Sequence, residues 1–200
     1  MEKIKLLRTE MKIKPVLSPE DIQRILNVFD KRTFTGCRNF AMVYTFYDTM
    51  IRLSELCNIK LTDLNMIEQN IKIYGKGRKE RYVFFGKKLA KYLQLYLYGF
   101  RENVSGEYLF CKADGTYLPA DQVQHIFRRY SKKVGIHFNP HLLRHSAETQ
   151  WIRNNGNPLC LQNLMGHSSF RTTQKYIHLA LEDLKKEHAV HSLGDSLNYR

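Results

Sequence analysis

At 200 residues with 43% hydrophobic side chains, the chain is long enough to bury one real core, which excludes a disordered tract, a collagen-like repeat and a disulfide-stapled miniprotein. No charge-free stretch reaches the roughly 18 residues of a membrane span, and the basic N-terminus lacks the apolar core of a signal peptide. Thirty-two Lys and Arg against nineteen Asp and Glu give a net charge of +13, which points to a polyanionic partner, nucleic acid before a membrane surface.

Residues 1–16 read as a leader or linker stub, charged and aperiodic. Ser18-Pro19-Glu20-Asp21 then has the form of a helix start: a capping serine, a first-turn proline and two acids at the positive helix end. Ile22, Ile25, Leu26 and Phe29 follow at helical spacing. A second helix is expected over Asn39 to Met50, and short helical turns over Ser54 to Leu64. At Asn70 the period shortens. Ile71, Ile73 and Tyr74, then Tyr82 to Phe85, flank Gly75-Lys76-Gly77-Arg78-Lys79 and predict a hairpin, followed by a helix over Lys88 to Tyr98. Tyr108-Leu109-Phe110 is a candidate third strand before a turn at Asp114-Gly115. The remainder predicts helices over Asp121 to Val134, Pro140 to Asn154, Pro158 to Met165, Phe170 to Ile177 and Leu181 to Val190. The fold class is therefore mainly α with a small antiparallel β-sheet, in one domain over 17–184 with a tail at 185–200. Cys37, Cys57, Cys111 and Cys160 form no CxxC pair, so a reduced, cytoplasmic chain is expected.

Three places carry chemistry. Between Lys72 and Lys91 there are eight Lys or Arg and one acid, Glu80. This is either a solvated hairpin or a turn in which glycines let a lysine approach a phosphate backbone; it lacks the spacing of a nucleotide-binding loop. In Asn139-Pro140-His141-Leu142-Leu143-Arg144-His145, asparagine and proline open a helix. His141, Arg144 and His145 then share one face near its N-terminus, a ready anion site. A zinc site is the rival, but Leu142 stands where a metalloprotease needs glutamate, and Arg144 repels a cation. Finally, Gly166 suits a left-handed helix end that places His167 on a turn, and Tyr176 follows nine residues later. Singly, a lone histidine or one of twelve tyrosines has an unremarkable structural explanation.

In this order and spacing, Arg52 in TMIRLSEL, Lys76 in GKG, His141 and Arg144 in HLLRH, His167 in LMGHS and Tyr176 after TTQK resemble the catalytic domain of the tyrosine recombinase (phage-integrase) family, over about Leu17 to Leu184. Met50-Ile51 departs from the Gly-Leu usual there, and the helical N-terminal DNA-binding domain common in the family does not precede the match. A catalytic fragment and a minimal recombinase both fit. The resemblance implies a site-specific recombinase acting on double-stranded DNA. Tyr176 would be the nucleophile forming a 3′-phosphotyrosine link, and Arg52 and Arg144 would hold the phosphate. His141 and His167 would assist, with Lys76 protonating the 5′-hydroxyl. It implies neither metal, ATP nor any other cofactor, and a tetramer on paired sites through the C-terminal tail, which a local cap would explain equally. Glu55, three residues past Arg52, is a candidate to orient that guanidinium, a solvated glutamate being the plainer expectation. The competing classes are a type IB topoisomerase, a catalytically inactive DNA-binding protein and a metal-dependent hydrolase.

Overall fold

A computed structural model describes residues 15–75 and 80–166. Its first helix, α1 (Pro19–Asn27), begins as the sequence dictates. The Ser18 hydroxyl accepts the Asp21 N–H at 3.1 Å and the Asp21 carboxylate accepts the Ser18 N–H at 3.2 Å, a reciprocal cap. The central helix α2 (Phe34–Thr49) starts five residues before the expected Asn39, because Thr33 caps it by accepting the Gly36 N–H. Gly36 lies in the first turn of that helix. A side chain there would meet the Asp30 carbonyl oxygen at 1.9 Å, so the glycine serves the close approach of the preceding loop.

After α2 come α3 (Leu53–Cys57) and a 3₁₀ turn at Leu61–Asp63. The sheet is β1 (Leu64–Asn65), β2 (Asn70–Tyr74) and β3 (Glu80–Phe84), in order β1-β2-β3 and antiparallel throughout, with Ile71 opposite Val83 and Ile73 opposite Arg81. The expected third strand at Tyr108–Phe110 is not one. Tyr108 makes a single bridge to Lys60 and Cys111 one to Tyr117, so this segment is stitched to the sheet's edge loop rather than laddered, and the third strand is the two-residue β1. Then α4 (Lys87–Tyr96) runs into a π-helical turn at Leu97–Arg101. Next are α5 (Ala120–Val134), α6 (Pro140–Arg153) and α7 (Pro158–Met165). The expected helices at 170–177 and 181–190 lie outside the described residues, and no described helix is long and apolar enough to cross a membrane.

The main core wraps α2, whose Phe40, Ala41, Met42, Val43 and Phe46 are buried. Phe40 meets Tyr92 of α4 at 4.5 Å between ring centroids, and Phe46 meets Phe127 of α5 at 6.1 Å. A second, smaller cluster of Met50, Ala147, Ile152, Leu161 and Met165 seats α6 and α7 against the end of α2. Met50 explains the departure from Gly-Leu. It caps α2 in the left-handed region (φ 54°), a conformation that favours glycine, while its buried side chain packs with Leu161 and Met165. The packing of a methionine here offsets a backbone cost of about 1–2 kcal/mol.

Of these elements α6 has the most consequential start. Asn139 accepts the Leu142 N–H at 2.9 Å and Pro140 occupies the first turn. Asn139→Ala is expected to cost about 1 kcal/mol in urea unfolding, with the denaturant slope unchanged.

Candidate active site

The first turn of α6 leaves His141 exposed and, one turn on, brings Arg144 inward to 9% exposure. The Arg144 Nε donates to Glu148 Oε1 at 3.1 Å, four residues along the same helix, and Nη2 donates to the Met165 carbonyl at 3.4 Å. Burial lowers the guanidinium's pKa, Glu148 opposing that effect and Arg52 adding to it; an arginine so held still carries its charge at neutral pH. The helix is fixed behind this face by the Ser146 hydroxyl, which accepts the buried Leu17 N–H at 2.9 Å.

Arg52 stands at the start of α3. Its backbone N–H donates to Glu55 Oε2 at 2.8 Å, the reach-back of a third-position glutamate, and its Nη1 donates to Glu55 Oε1 at 3.1 Å. Its Nη2 donates to the Gly166 carbonyl at 3.2 Å. Glu55 is therefore no solvated glutamate: at 8% exposure it is buried, and it also accepts Nη1 and Nη2 of Arg81 at 2.9 and 2.8 Å. Arg81 Nε donates to the Leu164 carbonyl at 2.9 Å. Three consecutive carbonyls, Leu164, Met165 and Gly166, thus each take one arginine, from β3, α6 and the α3 cap. These are the unpaired acceptors at the end of α7, where the helix dipole favours cations. Gly166, at φ 61°, terminates the helix as the sequence predicts, and a side chain on it would lie 3.2 Å from the Arg81 guanidinium.

Arg52, His141, Arg144 and His145 line one cleft of about 1060 Å³, together with Arg128 and Lys132 of α5 and with His137. Glu148 is the one carboxylate among its described lining residues, and it is bound to Arg144. The arrangement is an anion site with two guanidinium groups, each braced by a buried carboxylate and a carbonyl. Such bracing holds a charge in place before a substrate arrives. Of the six residues picked out by spacing, the fold brings Arg52, His141 and Arg144 together. Lys76, His167 and Tyr176 lie outside the described residues; Lys76 follows the end of β2 after Gly75, and His167 follows Gly166 directly.

Two residues escaped the sequence reading. Glu148 was legible, four positions after Arg144 on one helix face. Arg81 was not, because strand alternation pointed the wrong way: Tyr82 and Phe84 face out at 54% and 59% exposure, and Arg81 faces in with Val83.

Burial alone pushes the Glu55 carboxyl upward. The Arg81 fork, the Arg52 N–H and the charges of both arginines outweigh it and hold the group below its ordinary value of 4.5. A depressed carboxyl contributes stability above its unfolded pKa and loses it as pH falls through the folded one. Urea midpoints taken from neutral pH to about pH 3 should therefore fall in the wild type. Glu55→Gln, lower at neutral pH, should show a flatter profile in the same window.

The phage integrase family model matches residues 15–183. The tyrosine recombinase XerC of Bacillus licheniformis is 31% identical over 196 residues, 94% of this chain and 64% of that protein. XerC of Lactobacillus leichmannii is 32% identical over 197 residues, 94% of this chain and 66% of that protein. Among solved structures, XerA recombinase superposes with a TM-score of 0.76 at 29% identity, covering 95% of this chain and 68% of that one. XerH site-specific recombinase bound to its difH substrate shares the fold at 24% identity and a TM-score of 0.71, over 87% of this chain and 53% of that one. The chain spans just under two thirds of the length of the XerC proteins it matches. The chain therefore belongs to the phage integrase family, with the fold of a tyrosine recombinase catalytic domain.

Proposed function

We infer that this chain catalyses site-specific cleavage and rejoining of double-stranded DNA. One observation carries the reading: Arg52 and Arg144, far apart in sequence, converge on adjacent carbonyls at the end of α7 and open onto one basic cleft. A phosphodiester attacked in line gathers charge on its nonbridging oxygens, and two guanidinium groups held in advance are suited to that charge.

In this reading the Tyr176 phenol oxygen bonds to phosphorus as the bond to the 5′-oxygen breaks. The phenol proton leaves to a neighbouring base, and Lys76 donates one to the departing 5′-hydroxyl. His141 and His167 hydrogen-bond the phosphate or pass its protons. A 5′-hydroxyl from a second strand then attacks the phosphotyrosine and reverses the step. One diester is exchanged for another, so the bond energy is conserved and ATP has no role. The fixed cations supply the charge that a metal would otherwise provide. Strand exchange between two duplexes needs several copies, and the tail at 185–200 docking on a neighbouring protomer would supply the contact for a tetramer.

The test is a nicked-duplex library with a randomised core, from which covalent protein–DNA adducts are captured on denaturing gels and the DNA sequenced. Adducts are expected with the wild type and absent with Tyr176→Phe, which removes only a hydroxyl and should leave folding and duplex affinity nearly unchanged. An adduct that persists, or maps to another tyrosine, sinks the assignment. Relaxation of supercoiled plasmid without exchange between captured sites would make the chain a topoisomerase instead.

On the captured duplex, Arg144→Ala should slow adduct formation by about 10²–10³, or ~3–4 kcal/mol, while duplex affinity changes far less. Equal losses in rate and affinity would reduce Arg144 to a phosphate anchor. Affinity itself should fall steeply with salt, by about 0.9 log units per log unit for each phosphate neutralised.

A further inference from the structure

The chemistry proposed above has no use for Arg81, yet its side chain is firmly engaged beside the cleft. It is 14% exposed and its donors are committed along two edges: the Nη pair to both oxygens of Glu55, and Nε to the Leu164 carbonyl. Its flat face lies against Gly166, close enough that a Cβ there would sit 3.2 Å from Cζ, Nε and Nη1. One residue of β3 thereby ties the acid of α3 to the last turn of α7, which is also where Arg52 and Arg144 are anchored.

Glu55 is what makes this consequential. Its buried carboxylate is shared between Arg81, 14% exposed, and Arg52, 44% exposed. A buried carboxylate must be matched by donors and by charge. Arg81 provides the fork, and Arg52 is left with one side-chain bond to Glu55 and one to the Gly166 carbonyl, while its side chain lines the cleft. If Arg81's fork were lost, Glu55 would draw Arg52 into a tighter pair and away from a bound phosphate. The geometry points to Arg81 as a positioning residue for strand cleavage: by occupying Glu55 and clamping the end of α7, it sets the reach of Arg52. This rests on the reading of Arg52 as a phosphate ligand. Lysine cannot replace it, because a point charge with three donors cannot span two carboxylate oxygens and a carbonyl in one plane.

Arg81→Lys in the full chain keeps the charge and removes that geometry. On the captured nicked duplex, the variant should keep duplex affinity within about threefold and its melting temperature within a few degrees. Adduct formation at saturating DNA should slow by about 10–100-fold, the penalty expected when a reacting group is misplaced by about 1 Å. A rate within about threefold of wild type overturns the proposal, as does an affinity that falls in step with the rate. A variant that melts far below the wild type makes Arg81 a structural clamp and overturns it equally. A second measurement needs no DNA. In the chain labelled with ¹⁵N-arginine, the Arg52 Nε–H resonance, identified by its loss in Arg52→Lys, should shift and exchange faster with water in Arg81→Lys. An unmoved Arg52 signal refutes the coupling. Failure of the wild type to form any adduct would sink the proposed function instead, and would leave this spectroscopic result standing.

Discussion

The end of α7 is the point on which the described structure turns. A helix leaves its last carbonyls without partners, and a buried helix end must find donors for them or lose stability. Here the donors are three arginines that arrive from a strand, a helix and a helix cap widely separated in sequence, one per carbonyl over Leu164, Met165 and Gly166. The obligation of the backbone to be hydrogen-bonded and the need of the cleft for fixed positive charge are met by the same contacts. That is why the second core cluster matters: Met50, Ala147, Leu161 and Met165 hold α7 where its end can be reached from all three directions.

The charge economy of the junction follows from the same constraint. Three guanidinium groups meet two carboxylates, Glu55 and Glu148, so the assembly keeps one surplus positive charge while each acid is paired with an arginine. Buried ion pairs add little net stability, since desolvation consumes most of the Coulombic gain. Their value lies in direction. Each arginine is held by an acid on one side and a carbonyl on another, which fixes its direction and removes the rotamer freedom that a lone surface arginine would have to surrender on binding.

How much of this was legible in the sequence depended on whether the signal was local. Ser18-Pro19, Asn139-Pro140, Asn157-Pro158 and Gly166 each announce a helix boundary through their own backbone chemistry, and each boundary falls where those residues put it. The start of α2 was missed because Gly36 is there for a contact with Asp30, which composition cannot reveal. Tyr108–Phe110 has strand composition without a strand, because it pairs through a single isolated bridge, Tyr108 with Lys60, rather than a ladder. Arg52, His141 and Arg144 were found by order and spacing, and the fold brings them to one cleft. Arg81 stayed hidden because its partners are tertiary, 26 and 83 residues away, and because the aromatic residues beside it occupy the outward face that alternation assigns to polar side chains.

The double occupancy of Glu55 separates two kinds of vulnerability. Remove Arg52 and the acid still has its fork from Arg81, so the interior stays neutralised and the domain keeps its shape. Remove Arg81 and the same buried acid loses its fork and keeps only the contacts it has with Arg52. With Arg52 acting as proposed, drift there would silence chemistry without a folding penalty, and a lineage could pass through it to a folded, basic, inert descendant. Drift at Arg81 is exposed to selection on folding even where the chemistry has already been lost. In such descendants Arg81 should outlast Arg52.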